Sequence, residues 1–266
     1  MKDNAYIKKT LDFFQNIDMD LVKNFVVLDE VSSTNEKARE LAQNGEGEGT
    51  VVIAQIQNKG KGRFERVWES PAGGLYFSII LKPSISSDKI SLLPLVAALT
   101  VCKTINCYSD LYAKIKWPND VRLDGKKVAG ILLESEVIGN QLDNVILGIG
   151  VNVNNDVSFF SKEIGTNATS LLNELQKTID YYTFLKKLLT IFDTYYTMFL
   201  NKKYDVILKE WRQHSDTINK TVRIITPSGE IIGKAYDVDQ FGFLLVETDE
   251  GDLIKITSGD CVYIES

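Results

Sequence analysis

The segment KWPNDVRLDGKKVAGILLE, which spans Lys116–Glu134, is the most informative stretch of this chain. Two strand-like runs, Val121–Leu123 and Lys127–Ser135, are separated by a short turn that contains Asp124-Gly125. An Asp-Gly pair between two such runs is a strong indicator of a tight β-hairpin. The segment therefore predicts two antiparallel strands joined by a two-residue turn.

The same hairpin carries an excess of positive charge. Residues Lys114–Lys127 contain five basic and two acidic side chains, a net charge of +3. Neighbouring strand residues point to opposite faces, so at most one of Lys126 and Lys127 faces a pocket. If the two strands pair, Asp120 and Lys127 lie at the same end of the hairpin. The pattern is typical both of a solvated hairpin tip and of an anion-binding site.

A second basic segment, KGKGRFER at Lys59–Arg66, lies between two strand-like runs. It holds four positive charges and one negative charge, and its glycines let backbone N–H groups approach an anion closely. Glu65 breaks the dinucleotide-binding pattern, and the P-loop pattern is absent. The segment indicates either an anion-binding loop or a flexible surface loop with solvated charges. Its attachment to strands at both ends favours a site.

Helices and strands alternate through the first 217 residues. The S-x-x-E spacing of Ser33 and Glu36 predicts a capping box at the start of a helix. Further predicted strands are Phe25–Leu28, Thr50–Gln55, Leu75–Leu81, Lys114–Trp117 and Asn144–Val153, and predicted helices are Ala5–Asn16, Leu92–Asn106 and two or three between Thr169 and Gln213. This mixture indicates an α+β fold.

The pattern changes near residue 219, where short strands follow one another with turn residues between them. The predicted strands are Val222–Thr226, Glu230–Val238, Phe243–Thr248 and Leu253–Thr257. Such spacing indicates a small all-β barrel of about 50 residues. We therefore predict two domains, residues 1–217 and 218–266.

Composition narrows the possible functions. The 266 residues carry 30 basic and 36 acidic side chains, and the net charge of −6 argues against a dedicated nucleic-acid binder. A single histidine, His214, predicted to lie at a surface or helix end, makes a His-rich metal site impossible and a Ser-His-Asp triad improbable. Three cysteines without metal or disulfide spacing, and no signal or spanning segment, indicate a cytoplasmic protein.

Four segments in order resemble one family. GKGRFERVWESPAGGLYFS, from Gly60, resembles the glycine-rich ligand loop of biotin–protein ligases, and the segment from Lys116 resembles their KWPND…K-x-AGIL region. SSTNEKA and GIGVNVN are similar to two further family segments. The agreement covers about Phe25–Asn154, and the C-terminal β unit matches too. Because only 24 residues precede Phe25, the resemblance is to the short form without an N-terminal DNA-binding domain, so DNA binding is not expected.

The resemblance implies a central mixed β-sheet flanked by helices, a core like that of class II synthetases, and a C-terminal SH3-like barrel. The implied enzyme activates biotin with ATP and Mg²⁺ as biotinyl-5′-AMP. It then transfers biotin to a lysine of a biotin carboxyl carrier domain of a carboxylase, without a bound prosthetic group. Neither step needs a protein nucleophile, because bringing two anions together depends on charge neutralisation and positioning. One histidine is compatible with that chemistry.

The implied catalytic residues are Arg63 and Lys127, and Lys127 would meet both the biotin carboxylate and the α-phosphate. The implied biotin- and adenylate-binding residues are Ser33, Thr34, Asn35, Gln57, Gly60, Lys61, Gly62, Arg63, Trp68, Asn119, Asp120, Lys127, Gly130, Gly150 and Asn152. Asp120 is also the implied Mg²⁺ ligand. By the same resemblance, Ser33, Thr34 and Asn35 would line the ureido end of biotin together with Gln57. Simpler structural roles, such as capping or relief of crowding, stay open for several of these residues.

Several alternatives stay open at this point. A lipoate–protein ligase of the same superfamily and a non-catalytic biotin-sensing protein are the competing functions, and the resemblance also allows a homodimer. Lys61 stands where many members have arginine, and Phe64-Glu65 stands where Arg-Gly is frequent. Glu65 is expected either to restrict the loop or to pair with Arg66. The base that deprotonates the acceptor lysine is either Asp120 or solvent.

Overall fold

The computed structural model describes residues 5–14, 19–108, 110–138, 141–227 and 229–264. A seven-stranded sheet forms the centre of the larger unit, in the order β1-β2-β3-β7-β6-β5-β4. Its first pair is parallel and the others are antiparallel, so the sheet is mixed, as predicted. The strands are β1 Asn24–Val31, β2 Thr50–Gln57, β3 Leu75–Leu81, β4 Lys114–Lys116, β5 Asp120–Leu123, β6 Lys126–Ile138 and β7 Gln141–Val151.

Seven α-helices flank the sheet in the described part of the chain. They are α1 Ala5–Phe14, α2 Thr34–Gln43, α3 Leu93–Ile105, α4 Lys162–Gly165, α5 Leu171–Leu175, α6 Tyr181–Leu200 and α7 Tyr204–His214. The predicted helix Ala5–Asn16 is observed to Phe14, and Asn16 lies outside the described residues. His214 ends α7, and its Nδ1 lies 2.8 Å from the Glu210 carbonyl oxygen, so the predicted helix-end position is confirmed.

The two faces of the sheet are covered differently. On one face, α3 is buried between the sheet and α6, so the helix is apolar almost all round. Alternation along β3 sends Phe77 and Ile79 into this core. On the other face, α2 covers only part of the sheet, with a small core that includes Ile80. Ser78 points to this second face, where the uncovered part of the sheet forms the floor of a cavity.

The predicted hairpin is confirmed. β5 and β6 pair antiparallel, and the turn residues Asp124 and Gly125 both have positive φ, 44° and 78°. Such angles at both central positions are those of a type I′ turn, which Asp-Gly favours. A register shift in this pair brings Lys127 opposite Arg122. The Lys127 side chain nevertheless contacts Asp120 at the same end of the hairpin, as the strand pairing predicted.

The C-terminal unit is a five-stranded antiparallel sheet in the order β11-β10-β9-β8-β12, which confirms the all-β prediction. Its strands are β8 Thr221–Thr226, β9 Gly229–Val238, β10 Leu244–Glu247, β11 Leu253–Ile256 and β12 Asp260–Tyr263. The last strand was not predicted, because it has only four residues and is stabilised by pairing with distant β8. The boundary at residues 217 and 218 stays a prediction.

Trp117 joins the two units. Its indole Nε1 donates to the Gly242 carbonyl oxygen of the C-terminal unit at 3.0 Å, and its backbone N–H donates at 2.9 Å to the hydroxyl of Thr217, just before that unit begins. The Arg212 guanidinium adds an ion pair to Asp237 at 2.6 Å. These contacts hold the C-terminal sheet beside the β5–β6 hairpin.

Candidate functional site

A cavity of about 380 Å³ lies on the partly covered face of the central sheet. Its walls come from the start of α2, the loop between β2 and β3, the β4–β5 turn, the segment around α4, and the C-terminal sheet. The predicted site residues that line it are Ser33, Thr34, Asn35, Gln57, Lys61, Gly62, Arg63, Trp68, Asn119, Asp120, Lys127, Gly130, Gly150 and Asn152. Residues far apart in the sequence are thus brought together as the resemblance implied.

Gly60 is the exception among the predicted residues, since it does not line the cavity. Its carbonyl oxygen accepts a hydrogen bond from the Trp68 backbone N–H at 2.8 Å. A Cβ atom at this position would lie 2.3 Å from the Trp68 carbonyl oxygen. The close packing of the two sides of the loop therefore requires glycine here, and the position supports the loop instead of facing the cavity.

The floor of the cavity consists of β6 and β7 at their glycines, over which Trp68 lies. A Cβ atom at Gly150 would lie 2.4 Å from the Trp68 indole nitrogen. That nitrogen is buried and has no hydrogen-bond partner in the structure. Glycine at position 150 therefore leaves room for the Trp68 indole against the sheet, and this ring forms part of the cavity wall.

One end of the cavity, which we call the amide end, is formed by Ser33, Thr34, Asn35 and Gln57. The Gln57 side-chain oxygen accepts from the Thr34 backbone N–H at 2.8 Å and from its hydroxyl at 3.1 Å. Gln57 Nε2 donates to the Ser70 hydroxyl at 2.9 Å. These hydrogen bonds are partly buried, and they fix the direction of the Gln57 amide.

The predicted capping box at Ser33 is wrong. Ser33 occupies the N-cap position of α2, but its side chain makes no capping hydrogen bond and lines the cavity instead. Glu36 accepts from the Ser32 hydroxyl at 2.9 Å and forms an ion pair with Lys61 at 2.6 Å. The hydrogen bond from Lys61 lowers the pKa of Glu36, and the same bond raises the pKa of Lys61.

The opposite end, which we call the cationic end, contains Arg63, Asn119, Asp120 and Lys127. Lys127 Nζ lies 2.6 Å from Asp120 Oδ1 and 5.3 Å from the centroid of a Trp68 ring. Arg63 donates to Asn119 Oδ1 at 3.3 Å. Burial lowers the pKa of the Arg63 guanidinium, while Asp260 and Asp120 raise it. The two cations thus converge on adjacent residues of the β4–β5 turn.

The tip of the β2–β3 loop has an unusual backbone. Phe64 and Glu65 have φ values of 54° and 58°, a left-handed conformation that is uncommon for residues other than glycine. Arg66 forms a two-pronged ion pair with Asp260 of β12, so the expected alternative that Glu65 pairs with Arg66 is wrong. Arg63 also donates to the Gly259 carbonyl oxygen at 3.3 Å. The loop tip is therefore attached to the C-terminal sheet.

The sequence interpretation missed one wall of the cavity. The residues involved are Lys116 and Arg122 from the hairpin, Phe160, Glu163, Ile164, Asn167 and Ala168 around α4, and Ile225, Gly259, Asp260, Cys261 and Val262 from the C-terminal sheet. Burial lowers the pKa of Lys116, and neighbouring Arg122 lowers it further. The charge excess of Lys114–Lys127 was a signal for the first two, whereas nothing local indicated the others.

Asn152 lines the cavity, but its amide is already engaged. Its Nδ2 donates to the Thr169 carbonyl oxygen at 3.0 Å, and its Oδ1 accepts from Asn155 at 3.1 Å. These bonds position the chain that follows α4.

The implied Mg²⁺ has no protein cage among the residues that the structure describes, because they contain no group of three potential His, Cys, Asp or Glu ligands. Asp120 is held by Lys127. The donor set therefore does not fit a resident metal site. These residues are compatible with a Mg²⁺ ion that is coordinated mainly by the phosphates of the substrate.

Comparison with known proteins identifies the chain. Residues 27–152 match the Biotin/lipoate A/B protein ligase family, and residues 217–263 match the Biotin protein ligase C terminal domain. Identity to the bifunctional ligase/repressor BirA of Bacillus subtilis is 37%, over 90% of this chain and 73% of that protein. Identity to the biotin–[acetyl-CoA-carboxylase] ligase of Paracoccus denitrificans is 31%, over 85% of this chain and 95% of that protein.

A solved structure agrees with this assignment. Biotin protein ligase from Aquifex aeolicus, in complex with biotin and ATP, is 33% identical, with a TM-score of 0.79 over 92% of this chain and 100% of that chain. The fold and the cavity thus define a ligase of the biotin/lipoate class. The chain belongs to the biotin protein ligase family, which confirms the resemblance. Among the described residues, no helix is long and apolar enough to cross a membrane.

Proposed function

We propose that this ligase activates biotin with ATP as biotinyl-5′-AMP and transfers the biotinyl group to a lysine of a biotin carboxyl carrier domain. The observation that carries the proposal is the convergence of Arg63 and Lys127 on neighbouring residues, Asn119 and Asp120, at one end of the cavity. Fourteen of the fifteen residues implied by the family resemblance line the same cavity.

In the first step, a carboxylate oxygen of biotin bonds to the α-phosphorus of ATP, and the bond to the leaving pyrophosphate breaks. Two anions must approach each other, so the barrier falls mainly through cationic groups held in place beforehand. Lys127 Nζ exchanges its contact with Asp120 for the ligand oxygens. Arg63 has neutral hydrogen-bond acceptors, so its charge is available to the ligand without the loss of a direct ion pair.

In the second step, the acceptor amine bonds to the biotinyl carbonyl carbon, AMP leaves, and the amine loses a proton. Once Lys127 contacts the adenylate, the Asp120 carboxylate is released to accept that proton, and loss of the proton to solvent is the alternative. The β2–β3 loop, attached to Asp260, retains the intermediate and limits its hydrolysis.

Three further assignments belong to the same proposal. Mg²⁺ would enter with the ATP phosphates and neutralise part of their charge, with Asp120 as the ligand that the resemblance implies. The protein works in the cytoplasm, and its cysteines Cys102, Cys107 and Cys261 are free thiols. The acceptor is a carboxylase carrier domain. A homodimer and the lack of DNA binding stay predictions.

The test is biotin-dependent exchange of labelled pyrophosphate into ATP, followed by transfer to a purified carrier domain. We expect exchange with biotin and none with lipoate, and amide-linked biotin on the carrier lysine. Exchange with lipoate instead would favour the lipoate ligase alternative. Tight biotin binding without exchange would favour a biotin sensor.

A further inference from the structure

A charged side chain outside the set of predicted site residues contacts the amide end. Glu134 lies on β6, and its carboxylate accepts from Asn35 Nδ2 at 2.7 Å and from the Arg39 guanidinium at 2.5 Å. We propose that Glu134 is a positioning residue that sets the orientation of the Asn35 amide and thereby the affinity for biotin. This inference rests on the proposed function, since it concerns the same substrate.

The carboxylate fixes which way the Asn35 amide points. Asn35 Nδ2 faces Glu134, while Oδ1 faces the Ser78 hydroxyl at 2.6 Å. A flipped amide would place its oxygen against the carboxylate, and an ionised carboxylate only accepts hydrogen bonds. Asn35 is 4% exposed and packs over Gly148, where a Cβ atom would lie 2.1 Å from Oδ1. The amide therefore has one favourable orientation and little room for another.

That orientation passes to the neighbouring hydroxyls. A serine hydroxyl has one proton, and the Asn35 oxygen can only accept it, so Asn35 sets the direction of the Ser78 hydroxyl. Thr34 Oγ1 lies 2.8 Å from Ser78 Oγ and 3.1 Å from Gln57 Oε1, and its single proton can go to only one of them, so the direction of the Ser78 hydroxyl influences which one receives it. The chain of contacts thus runs from Glu134 to groups that line the cavity. A cyclic urea offers one acceptor and two donors, so its binding depends on such directions.

Arg39 holds the carboxylate but contributes differently. Asn35 and Arg39 are four residues apart on α2, so Glu134 accepts from neighbouring positions on one helix face. A purely structural role, attachment of α2 to β6, would depend on both contacts equally. A positioning role requires the Glu134 oxygen that accepts from Asn35. It depends only weakly on the partly exposed ion pair between Glu134 and Arg39.

The experiment measures KM for biotin and for ATP separately by pyrophosphate exchange. Glu134→Leu should raise KM for biotin ~10- to 100-fold, the range for loss of a hydrogen bond to a charged group. KM for ATP should change less than threefold. Glu134→Gln, whose amide can turn a donor as well as an acceptor toward Asn35, should raise KM for biotin by less than Glu134→Leu does. Arg39→Met should stay within about threefold of the wild type.

Glu210→Leu is the matched control. It removes an ion pair to Lys103 of similar exposure and length, 2.6 Å, away from the cavity. Equal biotin KM values for Glu134→Leu and Glu210→Leu would overturn the inference. So would equal increases in both KM values, or an Arg39→Met effect as large as that of Glu134→Leu. A wild-type chain without biotin-dependent exchange would instead overturn the proposed function itself.

A second pair of variants covers the case in which Glu134→Leu does not fold. Asn35→Asp sets two carboxylates against each other and should raise KM for biotin more than tenfold. In the double variant with Glu134→Gln, the glutamine NH2 group can donate to the new carboxylate at position 35, so the hydrogen bond forms again with donor and acceptor exchanged. KM for biotin should then be at least fivefold lower than in the Asn35→Asp single variant. Failure of the double variant to recover would contradict a positioning role.

Discussion

The amide end and the cationic end of the cavity are stabilised in opposite ways. At the amide end, Ser33, Thr34 and Asn35 are at most 4% exposed, and their neighbours on the central sheet hold them in place. At the cationic end, Arg63 depends on a loop whose tip has two residues with positive φ. The Arg66 side chain, which attaches this tip to Asp260, is 63% exposed.

The difference indicates a division of work between recognition and chemistry. Buried hydrogen bonds are rigid, so the amide end is organised before the ligand arrives. Surface ion pairs contribute little stability, so the attachment of the loop to Asp260 is weak, as the proposed opening and closing of the loop requires. Lys127 combines features of both ends. Its backbone belongs to a strand of the central sheet, but in the proposed mechanism its Nζ leaves Asp120 to contact the ligand oxygens.

The largest test of this comparison is Lys127→Ala. We expect adenylate formation to fall ~10³-fold, because a cation is removed from the place where two anions meet. Pyrophosphate exchange measures the effect, and circular dichroism checks the fold. Lys126→Ala is the control, since this exposed neighbour does not line the cavity. Comparable losses in the two variants would contradict the assignment of Lys127.

Arg63→Gly should act on the loop more than on recognition. We expect biotinyl-5′-AMP to be released ~10- to 100-fold faster and to label nearby lysines, while biotin affinity at the amide end changes little. Filter binding of labelled adenylate gives the release rate. Lys59→Gly changes a loop charge that does not line the cavity and serves as the control. Unchanged release would refute the closing role of Arg63.

Gly150→Ala tests the floor that both ends share. The added methyl group would approach the Trp68 indole at 2.4 Å, so the ring must move into the cavity. We expect about a tenfold rise in Kd for biotin and a stability loss of ~1–3 kcal/mol, as in other overpacked sites. Isothermal titration and thermal unfolding measure these. Gly47→Ala, with nothing within 4 Å of the new atom, should bind biotin normally.

Asp260→Asn should have the smallest effect. Because the ion pair with Arg66 is largely exposed, we expect only a two- to fivefold faster adenylate release, and a smaller difference at high salt. Exchanging the two charges, Arg66→Asp with Asp260→Arg, should restore slow release. Asp249→Asn, a C-terminal loop control, should leave the rate unchanged. If the adenylate release rate is the same in all of these variants, the C-terminal sheet does not help to hold the loop closed.

Local patterns predicted local structure well. β3 has the predicted bounds, and the hairpin formed at Asp124-Gly125, because turn geometry and strand alternation depend on neighbouring residues. The capping box failed because an S-x-x-E pattern does not reveal that Ser33 faces a cavity. β12 was missed because its pairing with β8 is not visible from its four residues.

By itself, the sequence determined the hairpin, the charge of the two basic segments and, through four ordered motifs, the family. Only the tertiary structure decided that Glu134 meets Asn35, 99 residues away, and that Asp260 meets Arg66, 194 residues away. The physical reason is that periodicity and turn chemistry act between near neighbours. Contacts over such separations depend instead on how α2, the β2–β3 loop and the C-terminal sheet pack around one cavity.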